Sequence, residues 1–379
     1  MIAHGTTTAL YFATKDLEPT KLLADLAHKK GQRAYIGKVN MDRNAPLTYC
    51  EPSAASSLGE TEIFIKYVKE EINSPLVHPV LTPRFLPTCS EPLLKGLGDL
   101  VKKYAGEEEG REGGRARRGL HVQSHISESA DHIEFNKSLA EHHEGDTRDI
   151  DVFDRCGLLT PLTVLAHGIH LSPHEFSLLS SRGSSLAHCP LSNFFFGHSV
   201  LPTRRVLEAQ VKVGLGTDVA GGYSPSMLSA VRSCVIASRV LEDGVEEWRH
   251  GEEEEQAEEG QKERGKEGGK EKWCKEGRDG MRIDWKEALW LATMGGAGCL
   301  GLEEEVGSFE VGKAFDAVRV DVREGGGVVV VEGGGDSAED LVQKWVNCGD
   351  DRHVVEVWVA GREIKKGGKG ERERSEIKG

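Results

Sequence analysis

The chain has 379 residues, 38% of them hydrophobic, enough to bury a sizeable core as one barrel or two smaller domains. Its formal net charge of −14 argues against nucleic acid or an anionic membrane as the main partner, and no apolar run approaches transmembrane length. Eight scattered cysteines without a CxxC pair, and a start lacking the basic and apolar regions of a leader, point to a reduced, cytoplasmic setting.

Ala9-Leu-Tyr-Phe-Ala-Thr reads as a strand entered almost directly from Met1, and Leu22, Leu23, Leu26 and Ala27 then take helical spacing. Arg33 to Met41 is the next strand, followed by a helix near Leu58 to Ile72. Val77 to Phe85 is a further strand whose end carries Arg84 and Phe85; Pro79 and Pro83 weaken it as a central member, since proline cannot donate to a ladder. A helix around Pro92 to Tyr104 follows, and the alternation continues with strands near 120, 163, 185 and 211. The seven units, counted from Ala9, imply parallel strands with helical crossovers, one short of a closed eight-stranded barrel.

Charged segments at 105–118 and 242–280, and the tail 365–379, are rich in Glu, Lys, Arg and Gly. Their composition cannot bury enough apolar surface to offset ordering entropy, so disorder is expected in all three. After the second, Asp284 reads as an N-cap ahead of Trp285, Ala288, Leu289 and Ala292, which share one helical face. Val306 to Val320 reads as a glycine-turned pair of short strands, and Val354 to Ile364 as one more. The expected organisation is a barrel over 5–300 and a small β-rich part over 303–364.

Three strand-like runs end alike. Leu120 to Glu128, reading LHVQSHISE, alternates and places His125 and Glu128 where strand gives way to loop. Thr163-Val-Leu-Ala-His167-Gly and Val211-Lys-Val-Gly-Leu-Gly-Thr-Asp218 repeat that grammar. In a parallel α/β fold active sites collect at the carboxyl ends of strands. A neutral imidazole there can bind a metal, and a carboxylate three residues on can move a proton beside it. One such histidine is commonly buried and satisfied by a carbonyl; three endings in the order His, His, Asp are candidate zinc ligands or holders of its water. A two-histidine, one-carboxylate iron site is the competing reading of the same donors.

The stretches GTTTALYFAT, GQRAYIGKVNMD, TPRF, QSHISE, LAHG, AHCPLSN, VGLGTDVAGGYSPSML, ATMGGA and GSFEVGKAFDAV together resemble the amidohydrolase superfamily and, within it, the guanine deaminases. The resemblance implies a metal-dependent (β/α)8 TIM-like barrel with a partial small β-sheet domain at its C-terminal end, and hydrolysis of guanine to xanthine and ammonia with one zinc ion per site. It implies His125 and Asp218 as metal ligands, with His167 a ligand or the residue holding the activated water. Glu128 would carry protons, and Arg84 and Phe85 would meet the purine. Gln123 shares the face of His125, where a structural hydrogen bond is an equal reading. Often such enzymes are homodimers. Zinc suits the chemistry because it lowers the pKa of bound water to about 7.

In the family the first barrel strand supplies a His-x-His pair of ligands. No such pair precedes Ala9, and His4 matches no ligand position. The chain is therefore expected to be a barrel lacking its first strand, open at one edge, weakly metal-binding and marginally stable. Alternatives are a non-catalytic barrel that binds purine weakly or pairs with a full-length subunit, and another deaminase or chlorohydrolase of the superfamily.

Overall fold

The computed structural model describes residues 1–105, 119–139, 148–243, 280–323 and 335–366. Apart from their edges, the three segments expected to be disordered lie outside the described residues. Eight parallel strands form the main sheet: β1 (Thr8–Phe12), β2 (Arg33–Gly37), β3 (Val39–Asn40), β4 (Val77–Pro83), β5 (His121–Ile126), β6 (Thr163–His167), β7 (Ser185–His188) and β8 (Lys212–Leu215). Their order is β1-β2-β4-β5-β6-β7-β8, with β3 also paired to β4. The seven expected strands are all present, and β1 and β8 are the two ends of the path among the described residues.

Helices such as Leu17–Lys30, Ala54–Lys66, Glu91–Tyr104 and Pro173–Arg182 make the crossovers. They cover the outer face, so β2, β4 and β6 are buried along their whole length, as near-continuous apolar strands of a parallel sheet require. The sheet curls. Gln123 of β5 donates to the Tyr11 carbonyl of β1 at 2.8 Å, and the Phe12 ring of β1 lies 4.4 Å from that of His125, although β1 and β5 are not neighbours in the sheet. Inside, Tyr35 sits between His78 and His121, and His121 bonds the Leu300 carbonyl, so the stretch around Ala297–Val306 packs against inward residues of several strands. This is a filled barrel interior, with its open face at the strands' carboxyl ends.

Several expectations need correcting. β4 is central despite its prolines: Pro79 pairs in register with Ile36 of β2 and Pro83 with Asn40 of β3, while the ladder to β5, only Val80↔His121 and Leu81↔Val122, includes neither. In the first helix the buried stripe is Thr20, Ala24 and Ala27, small residues that allow a close approach to the sheet, while Leu22 and Leu26 are exposed. The expected strand pair over 306–320 reduces to β9 (Ala317–Val320); positive φ at Gly307 and Gly312 turns the chain before it. Val354–Ile364 is two strands, β10 (Val354–Val359) and β11 (Arg362–Lys365), because Ala360 and Gly361 both have positive φ and form the tight turn that suits a hairpin. β11-β10-β9 make a small antiparallel sheet, and a helix at Ala338–Cys348, unread in the sequence, lies between β9 and β10 in the chain and opens on a Ser337–Asp340 capping box. The Asp284 cap is present, with Glu287 completing its box.

The two sheets are pinned by a buried ion pair: the Arg33 guanidinium donates to both Asp316 oxygens at 3.0 and 3.3 Å. Asp316 also accepts the Ala360 N–H. No helix among the described residues is long and apolar enough to cross a membrane.

Candidate active site

The site is assembled at the carboxyl ends of β4, β5, β6 and β8. His125 is the penultimate residue of β5, His167 the last of β6, and Asp218 follows β8 by three residues. One donor atom from each lies within 4.8 Å of the others. His167 and Asp218 hold left-handed backbone conformations, φ +73° and +46°, as does Ser127 at +43°. Non-glycine residues there cost on the order of 1–3 kcal/mol each, and such outliers cluster where a side chain must be aimed.

Each imidazole is held by its far nitrogen. His125 Nδ1–H donates to the Arg84 carbonyl at 2.7 Å, and that carbonyl also accepts the His125 N–H. His167 Nδ1–H donates to Asn193 Oδ1 at 2.9 Å. Both rings therefore turn an Nε2 lone pair inward, stacked 5.5 Å apart and 15° from parallel. His167 Nε2 is buried without a hydrogen-bond partner, 3.5 Å from Glu128 Oε1 and 3.9 Å from Asp218 Oδ2. Burial holds both imidazoles below the ordinary histidine pKa, aided at His125 by its neighbour His167. They are thus neutral, the form that binds metal.

Two neutral imidazoles, one of them with an orphaned inward nitrogen, and one carboxylate fit a divalent ion such as zinc. Hydrogen bonds to the far ring nitrogens are the outer-shell feature that orients metal-binding histidines. Burial raises the Glu128 carboxyl above the usual carboxylate range, opposed by the His125 ring and reinforced by Asp218. Glu128 is about a quarter exposed, 26%, so it lies where it can meet both the buried donors and an entering molecule.

Arg84 and Phe85 follow β4 directly. The guanidinium carbon lies 5.4 Å over the Phe85 ring, and that ring meets His125 edge-on at 6.4 Å. Gln123 faces inward as expected but bonds Tyr11 and Thr82 deeper in the barrel. His4 lies in the short turn Ile2–His4 and contributes nothing to the cluster. Asn193, not singled out in the sequence, bridges two rings: its Oδ1 takes His167 Nδ1–H and its Nδ2 donates to His188 Nδ1 at 3.3 Å. Its signal was its place in AHCPLSN, five residues beyond the strand-ending His188.

A family model described as the amidohydrolase family matches residues 1–256 and 264–364. The guanine deaminase of Mus musculus is 38% identical over 367 residues, spanning 96% of this chain and 70% of that protein. The chain belongs to the amidohydrolase family, among the guanine deaminases. The Escherichia coli (strain K12) guanine deaminase is 30% identical over 365 residues, covering 96% of this amidohydrolase and 69% of that one. Among solved structures, the guanine deaminase from C. acetobutylicum with guanine bound in its active site superposes with a TM-score of 0.76 at 31% identity, over 96% of this chain and 73% of that one.

Proposed function

We propose that this chain hydrolyses guanine to xanthine and ammonia at the His125–Glu128–His167–Asp218 cluster. The observation that carries the reading is the convergence of those four side chains at the mouth of a parallel barrel in a chain 38% identical to a guanine deaminase.

His125, His167 and Asp218 are the residues that would hold zinc. When bound there, zinc lowers the pKa of a coordinated water to about 7 and so supplies hydroxide at neutral pH. Water adds at the carbon bearing the exocyclic amine, the C–N bond to that amine breaks, and ammonia leaves. Glu128 carries the protons. Its carboxyl, raised by burial, is suited to take one proton from the attacking water and deliver it to the ring nitrogen as that carbon becomes tetrahedral. Asp218, whose Oδ2 lies 3.9 Å from His167 Nε2, accepts the second proton from the hydroxyl on the tetrahedral carbon, and Glu128 relays it to the departing amine, which leaves as ammonia. Arg84 offers donors to the purine carbonyl edge, and Phe85 gives an apolar surface for the ring plane.

The test is incubation of the purified chain with guanine at graded zinc, following xanthine and ammonia together. One ammonia per xanthine, increasing with zinc occupancy, is expected. No product at full occupancy, or product from cytosine or a chlorinated triazine and none from guanine, would overturn the reading.

A further inference from the structure

Asp149 is a fully buried carboxylate that the chemistry above does not use. It begins the helix Asp149–Arg155, twenty-two residues beyond Ser127, yet points at the turn leaving β5. Its Oδ2 accepts the Ser127 N–H at 2.8 Å and its Oδ1 the Ser127 hydroxyl at 2.9 Å. The next amide in the turn, Glu128 N–H, donates to His132 Nδ1 at 3.4 Å. This leaves the His132 proton on Nε2, which lies 3.5 Å from Asp149 Oδ2 without forming a hydrogen bond. The Ser127 carbonyl is in turn taken by the His170 N–H at 3.1 Å. The amides of Ser127 and Glu128 and the carbonyl between them are thus each held by a group from outside the turn.

That turn has work to do. Ser127 is buried in a left-handed conformation that an L side chain adopts only when its surroundings impose it. Reversal there is what brings Glu128 back over His167. We propose that Asp149, with His132, is a positioning residue that clamps the Ser127–Glu128 turn and so aims the Glu128 carboxylate into the site; this rests on Glu128 being the proton carrier. A carboxylate is needed at 149 because both oxygens accept: Oδ2 from the Ser127 N–H, and Oδ1 from the Ser127 O–H and the Ile150 N–H. An amide supplies one acceptor and sets its NH2 against a donor. Burial holds His132 down to about 4, so it stays the neutral ring that can accept from Glu128.

The experiment compares Asp149→Asn with the parent chain by amide hydrogen exchange and by guanine turnover. Exchange at Ser127 and Glu128 is expected to quicken by roughly tenfold or more, with Leu165 in β6 unchanged. Turnover is expected to lose roughly 10- to 100-fold in kcat with KM within about twofold, and to lose nothing further when Glu128 is already Gln. Ser127→Gly, which keeps the left-handed turn and removes only the hydroxyl bond, should give an intermediate exchange rate should Asp149→Asn fold poorly. Unchanged exchange at both amides, or an equal loss of turnover in the Glu128→Gln background, overturns the clamp. A parent chain that never turns over guanine overturns the reading of the site instead, and the exchange result then decides the clamp alone.

Discussion

Replacing Asn193 with Leu tests whether the site depends on how its histidines are held. Asn193 is fully buried, and leucine fills similar space without polar atoms. The substitution leaves His167 Nδ1–H without its acceptor at 2.9 Å and His188 Nδ1 without its donor at 3.3 Å. A buried polar group stripped of its partner costs about 1–3 kcal/mol, so the two together should remove about 2–6 kcal/mol of folding stability. His167 also loses the bond that turns its Nε2 inward, and loss of such a support costs about 10- to 100-fold in metal affinity. Asn193→Asp keeps an oxygen facing His167 and should retain most of that affinity while losing the donor to His188. Urea midpoints and competitive zinc titration would measure both effects. A stability loss below about 1 kcal/mol, with zinc affinity within twofold of the parent, would refute the role given to Asn193.

Asp316→Ala strands the buried Arg33 guanidinium and should cost about 3–5 kcal/mol by urea denaturation, since removing one partner of a buried pair leaves an uncompensated charge; a loss under about 1 kcal/mol would mean that water reaches the arginine. Stability should also fall with acid. Burial holds His132 down to about 4 and His188 to about 3 in the folded chain, so below the ordinary value of 6.5 the unfolded chain binds more protons. Their contribution is complete above about pH 6.5 and declines below it, by up to about 1.4 kcal/mol per pH unit for each ring. Urea midpoints that stay level from pH 7 to 5.5 in zinc-free buffer would contradict this.

The strand endings were legible because period-2 alternation and a terminal His or Asp are local features, and the parallel topology does the rest by bringing His125, His167 and Asp218 to one end of the sheet. What escaped was set by tertiary packing. Pro79 and Pro83 argued against a central β4, and only the pairing shows how they are placed, in register with β2 and β3 and outside the short ladder to β5. Leu22 and Leu26 looked like a core stripe, but proximity to the sheet selected Thr20, Ala24 and Ala27. The break in Val354–Ile364 depended on a left-handed alanine, a conformation that residue type does not announce. Asn193 and Asp149 act on residues 26 and 22 positions away, His167 and Ser127, so no window of sequence contained both partners.

The most direct measurement is zinc-dependent release of xanthine from guanine by the chain and by its Glu128→Ala variant, with zinc binding measured in parallel. The parent is expected to release xanthine and ammonia in equal amounts. The variant should bind zinc comparably and lose at least about 100-fold in kcat, the scale of a positioned proton carrier. Equal turnover by the two, or none by a zinc-loaded parent, would contradict the assignment of guanine deamination to this site.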